Sequence, residues 1–184
     1  MTFSSVILSV AKNLDRAGIL INVKGWGGTI MKKYTPQDVG ENLIKELIQA
    51  ALECRENSYA PYSGYRVGAA LLSSKGLMYS GCNVENASYG ATICAERNTV
   101  FTAVAAGQRE FVAIAIVGGP DEEEAPLSGS AYPCGMCRQV LSEFGSSDMK
   151  IIVAKSTDDY EVFTLGELIP HGFGPAILNN VNDI

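Results

Sequence analysis

Cys94-Ala95-Glu96 and Pro133-Cys134-Gly135-Met136-Cys137 place three thiols and one carboxylate in two short motifs. Three thiolates can hold a zinc ion and leave its fourth position open, the layout of a catalytic site; a structural site is usually closed by four protein ligands. The C-x-x-C pair alone is compatible with structural zinc, a redox dithiol or catalytic zinc. Cys94-Ala95-Glu96 adds the third ligand and an acid–base group. Cys134 and Cys137, three apart, share a helix face, and Pro133 suits a helix start, which puts Cys134 in the first turn. Cys94 and Glu96 are two apart and diverge inside a helix, but at its first turn both can reach an object on the helix end. Two helix N-termini are therefore expected to converge on one zinc, and their positive ends favour thiolates. Three thiolates leave the centre with net negative charge. Arg97 and Arg138, each directly following a ligand motif, are candidates to offset it.

The elements that position these motifs follow from period and punctuation. Thr35-Pro36 offers an N-cap with proline at the first helical position. Val39, Leu43, Ile44, Leu47, Ile48, Ala51 and Leu52 then repeat at helical spacing, predicting one amphipathic helix to about Cys54. Pro61, Ser63 and Gly64 end that pattern. Strands are expected over 67–72 and 77–84, joined by a turn at Ser73-Ser74-Lys75-Gly76. A helix over 94–105 precedes a strand over 111–117, whose unbroken apolar run indicates burial on both faces. A loop over 118–132 carries the acidic cluster Asp121 to Glu124, to which no role is assigned. A helix over 134–144, a strand over 150–154, a short strand near Val162 and a helical turn at 165–169 follow. Strands alternating with helices indicate an α/β layered sheet.

The chain has 184 residues, which suits one compact domain. Residues 1–30 are expected to stand apart as a non-native or disordered extension, with the domain over 31–184. No basic residue precedes the short apolar stretch from Phe3 to Ala11, so it lacks the positive start of a secretory signal. The net charge of −6 disfavours a polynucleotide partner, because an acidic surface repels phosphate backbones. No apolar run approaches the roughly 20 residues of a membrane-spanning helix. The single histidine excludes a Cys2His2 finger and an H-E-x-x-H metalloprotease.

Zinc nucleobase deaminases carry H-x-E…P-C-x-x-C, with a three-cysteine ligand set as a variant. Cys94-x-Glu96 and Pro133-Cys134-x-x-Cys137 match that variant. Further matches are Tyr59-Ala60-Pro61-Tyr62-Ser63, Val67-Gly68-Ala69-Ala70-Leu71, Gly81-Cys82-Asn83-Val84-Glu85-Asn86 and Arg138-Gln139. On these, residues 35 to 175 resemble the small homotetrameric three-cysteine cytidine deaminases. The resemblance implies a three-layer α/β/α sandwich with a mixed sheet of about five strands. It implies zinc-dependent hydrolytic deamination of cytidine and deoxycytidine in pyrimidine salvage, by a cytoplasmic homotetramer with one Zn2+ per subunit and a free nucleoside as its substrate. Carried over residue by residue, Cys94, Cys134 and Cys137 bind zinc and Glu96 shuttles the proton. Asn83 and Glu85 hold the ribose hydroxyls; two apart on a strand, they face the same side. Ala95 and Tyr65 contact substrate, Tyr65 standing where the family usually has phenylalanine and so adding a hydroxyl to satisfy. Phe173 matches an aromatic lent to a neighbouring subunit's site, and Arg97 balances charge behind the ligands.

Other readings of the same residues are a deaminase of a modified nucleoside or a blasticidin-type antibiotic, a polynucleotide-editing deaminase, and a structural zinc module. Asn83-Val84-Glu85 argues against the first, the charge and the Cys-x-Glu form against the second, and Glu96 beside an open site against the third. Cys54 reads as a buried core thiol and His171 as a surface loop residue. Cys82 is rejected as a fourth ligand, since its neighbour Asn83 is needed on the opposite strand face.

Overall fold

The computed structural model describes residues 21–22, 33–175 and 177. Six strands form one sheet: β1 (Ile21–Asn22), β2 (Tyr65–Ser73), β3 (Leu77–Cys82), β4 (Phe111–Pro120), β5 (Gly145–Ala154) and β6 (Tyr160–Thr164). Their order is β1-β3-β2-β4-β5-β6. β4 and β5 pair in parallel and the other neighbours are antiparallel, so the sheet is mixed. β2 to β6 are the five strands expected. β1, a two-residue pairing on the β3 edge, falls within the segment 1–30 that the sequence sets apart; the rest of that segment lies outside the described residues.

Among the described residues, the helices that complete the layers are α1 (Glu41–Arg55), α2 (Ala95–Ala105), α3 (Gly135–Phe144) and α4 (Leu165–Leu168). The two-residue period of the strands sorts them. Ala70 and Leu72 of β2 and Ala113, Ala115 and Val117 of β4 pack with Ile44, Leu47, Ile48 and Ala51 of α1. Ala69 and Leu71 of β2 and Ile114 and Ile116 of β4 point the other way, to Ala95, Val100 and Ala103 of α2 and Leu141 of α3. Both faces of β2 and β4 are therefore covered, which accounts for their unbroken apolar runs. Among the described residues the result is a three-layer α/β/α sandwich.

The first helix differs from the expectation. Thr35 caps a single turn, Pro36–Asp38, because its backbone N and Oγ1 both donate to the Asp38 carboxylate, at 2.9 and 2.8 Å. That reciprocal pair closes on itself within one turn. Gly40, extended at φ −84° and ψ 178°, redirects the chain and becomes the N-cap of α1. Val39, read as helical, is buried in the hinge between the two.

Gly81 fixes the approach of α2 to β3. A Cβ there would lie 2.7 Å from the backbone N of Thr99, so only glycine lets the helix sit this close to the strand. Thr99 Oγ1 then donates to the carbonyls of Ala69 and Ala95, and Asn98 donates to the Cys82 carbonyl. These bonds lock the N-terminal half of α2 over the sheet.

Candidate active site

Cys94 is the N-cap of α2 and Cys134 the N-cap of α3, each with extended backbone. Cys134 thus sits one position before the first turn, where the spacing had placed it inside. Cys137 and Arg97 each stand at the third helical position, and Glu96 at the second. The two helix starts meet: Cys94 Sγ lies 4.0 Å from Cys134 Sγ, which lies 3.3 Å from Cys137 Sγ. All three sulfurs fall within 4.8 Å of one another, the one group of metal-capable side chains among the described residues. A tetrahedral zinc with bonds of about 2.3 Å to sulfur spaces its sulfurs roughly 3.8 Å apart, so the donor set fits such an ion.

The charges agree with that fit. Hydrogen bonding from the Cys137 thiol, and then the Arg97 guanidinium, pull the Cys94 thiol down to about 5. Arg97 donates to Cys94 Sγ at 3.6 Å and to the Thr92 carbonyl at 3.1 Å. The Cys137 thiol is raised by its bond to Cys94, by burial and by the Glu96 carboxylate. Arg97 thus favours the thiolate form of Cys94, and a bound cation would favour it at all three sulfurs. Arg138 is directed elsewhere, donating to the Pro133 and Leu168 carbonyls and clamping the start of α3 to the end of α4.

Glu96 is only 5% exposed. Burial holds its carboxyl above the usual glutamate value, and the neighbouring Cys94 charge adds to the rise. It borders a cavity of about 420 Å3 together with Cys94, Ala95, Cys134, Asn83, Glu85 and Tyr65. Every candidate substrate residue except Phe173 thus opens onto one space. The floor is close-packed: a Cβ on Gly118 of β4 would lie 2.7 Å from Ala131 Cβ and 3.1 Å from both Tyr65 Cε1 and Val67 Cγ2.

Asn83 Oδ1 accepts from Val67 N at 2.8 Å and its Nδ2 donates to the Tyr65 carbonyl at 2.9 Å. Half of its hydrogen-bonding capacity is thus committed to β2, which fixes the amide and leaves one N–H and one lone pair. Glu85 Oε2 accepts from the backbone N of Tyr62 at 2.9 Å and of Ser63 at 3.2 Å. The Ser63 hydroxyl and these amides hold its carboxyl below the usual range. Tyr65 is shifted up, mainly by burial.

Phe173 stays outside this cavity in its own chain. It is 56% exposed and borders a separate hollow with Phe144 and Leu165. Cys82 turns toward α1, where its thiol and that of Cys54 shift each other, Cys82 downward and Cys54 upward. His171 is exposed, with a positive φ of 60°. The sequence reading missed Ala131 and Tyr132, which border the cavity. The available signal was an aromatic directly preceding Pro133-Cys134.

The family described as "Cytidine and deoxycytidylate deaminase zinc-binding region" matches residues 41–154. A protein named cytidine deaminase from Halalkalibacterium halodurans is 44% identical over 138 residues, which are 75% of this chain and 96% of that relative. Another of that name, from Sporosarcina psychrophila, is 42% identical over 136 residues, 74% of this chain and 95% of the relative. The crystal structure of cytidine deaminase from Burkholderia pseudomallei superposes with a TM-score of 0.63 at 45% identity, covering 70% of this chain and 97% of that one.

Proposed function

The chain belongs to the cytidine and deoxycytidylate deaminase zinc-binding family, and we propose that it hydrolyses cytidine and deoxycytidine to uridine and deoxyuridine with release of ammonia. The observation that carries this reading is a cluster of three thiols, two of which, Cys94 and Cys134, border with the buried Glu96 one cavity that Asn83 and Glu85 also line. Cys94, Cys134 and Cys137 would hold zinc, which when bound supplies a Lewis acid that makes a water nucleophilic near neutral pH.

Glu96 acts as the proton carrier. It takes a proton from the water that adds at C4 of the pyrimidine and delivers it to N3, then takes the remaining proton of the new C4 hydroxyl and passes it to the amine, which leaves as ammonia. Its burial suits this role, because a carboxyl raised by desolvation is a stronger proton acceptor than an exposed one. Asn83, held by β2, offers its free amide proton to the ribose. Glu85 accepts from a ribose hydroxyl through the oxygen not bound to Tyr62 and Ser63. Ala95 and Tyr65 bound the base, and Arg97 offsets the thiolate charge through Cys94.

The reading extends to a cytoplasmic homotetramer serving pyrimidine salvage, with Phe173 completing a neighbouring subunit's cavity. Its support is the exposure of Phe173, of Tyr89 at 74% and of Met136 at 63%, large apolar side chains on a single chain's surface. Among the described residues, no helix is long and apolar enough to cross a membrane.

The test is absorbance loss of cytidine and deoxycytidine, with Glu96→Ala as control. Both nucleosides should turn over, and Glu96→Ala should lower kcat by about 10²- to 10⁴-fold while zinc content is unchanged. A folded, zinc-loaded protein inert to both would redirect the assignment to modified nucleosides.

A further inference from the structure

We infer that Tyr132 is a substrate-contacting wall of the cavity, held in place by Glu161 from the edge strand β6. The inference rests on the nucleoside substrate proposed above. Tyr132 borders the same space as Glu96, Asn83 and Glu85. Its hydroxyl donates to Glu161 Oε1 at 2.7 Å, and its ring meets Phe163 edge-on, with centroids 5.9 Å apart and planes at 62°. Glu161 and Phe163 are alternate residues of β6, opposite Val153 and Ile151 of β5, so both stand on one face of the strand. Phe163 packs against the same core as α2 and α3, which places that face on the side of the cavity. Two residues of a strand that itself contributes nothing to the cavity lining therefore grip a residue two positions before Cys134.

A tyrosine ring that is 49% exposed would ordinarily sample several rotamers, and a ligand that packs on it would bear the cost of ordering it. Here the tip is bonded and one edge is backed, so the ring is ordered in advance. With the hydroxyl committed to Glu161, ring surface is what remains for a ligand. Aromatic surface suits a pyrimidine, because every nucleobase offers a π-face.

The experiment is steady-state deamination of cytidine by the full chain and by Tyr132→Ala, Glu161→Ala and Glu161→Gln, with zinc content measured for each. Tyr132→Ala should raise KM about tenfold, the loss of one base–aromatic contact, with the change carried by KM and not by kcat. Glu161→Ala should show part of that rise, and Glu161→Gln, which keeps an acceptor oxygen, should restore the parental KM. An unchanged KM in Glu161→Ala, or a Glu161→Gln as impaired as Glu161→Ala, would overturn the inference even where Tyr132→Ala fails to fold. A parental chain that leaves cytidine unchanged would count against the proposed activity instead. Cytidine dissociation constants of the same variants would then decide the Tyr132 contact on the same terms.

Discussion

Two carboxylates on one cavity are pushed in opposite directions, and their surroundings fit the separate roles proposed for them. Glu96 is enclosed and shifted upward by burial, which suits a group that gains and loses a proton. Glu85 is held charged by the Ser63 hydroxyl and the Tyr62 and Ser63 amides, which suits a fixed acceptor for a sugar hydroxyl. The depressed value gives a signed pH dependence. The charged form of Glu85 is complete above the ordinary value of 4.5 and is lost only as pH falls through the lowered one. The difference in uridine affinity between the parental chain and Glu85→Gln, measured by titration, should therefore stay constant from neutral pH down to 4.5 and shrink below it. A difference that shrinks above 4.5 would contradict the anchoring of Glu85 by these donors.

At the scale of elements, the site depends on where two helices begin and on what fixes the loop between them. Arg55, the last residue of α1, is 2% exposed and donates to the carbonyls of Arg66, Gly119, Pro120 and Glu123. One buried guanidinium thus ties α1, β2, the end of β4 and the acidic loop, which leads on to Ala131, Tyr132 and Cys134. Its exact fit depends on a planar fork of donors. Arg55→Ala strands several carbonyls at once and should destabilise the fold by about 3 kcal/mol in urea unfolding. Arg55→Lys should recover little of that loss, because an ammonium cannot span the same set of carbonyls.

For the whole molecule, the thiol cluster couples the metal to the fold. Cys94 and Cys134 begin different helices, so an ion shared among the three sulfurs cross-links α2 to α3. Stripping zinc with a chelator should abolish deamination and lower the melting temperature. Zn2+ should restore both, and Mg2+ neither, since thiolates favour the softer ion. Assembly gives a second expectation at this scale. Sedimentation should show a tetramer, and Phe173→Ala should raise KM while leaving the assembly intact; a monomer with full activity would remove Phe173 from the site.

The sequence by itself determined the layered α/β class and singled out the three thiols and the carboxylate proposed as metal ligands and acid–base residue, because each rests on local chemistry. Metal donors are few residue types at short spacings, and the strand and helix periods of β2, β4, α1 and α2 are long enough to be read. It did not determine the split of the first helix, since the Thr35–Asp38 pair outweighs a helical pattern only through geometry that spacing does not express. Only the tertiary structure decided that Arg138 serves backbone carbonyls while Arg97 faces a thiolate, two arginines that each directly follow a ligand motif. It also decided that Asn83 is braced by β2, that Cys82 turns to Cys54, and that Tyr132 is gripped from β6. These contacts join residues distant in the chain through the order and register of the sheet. That order is fixed by which faces α1, α2 and α3 bury, and no local pattern encodes it.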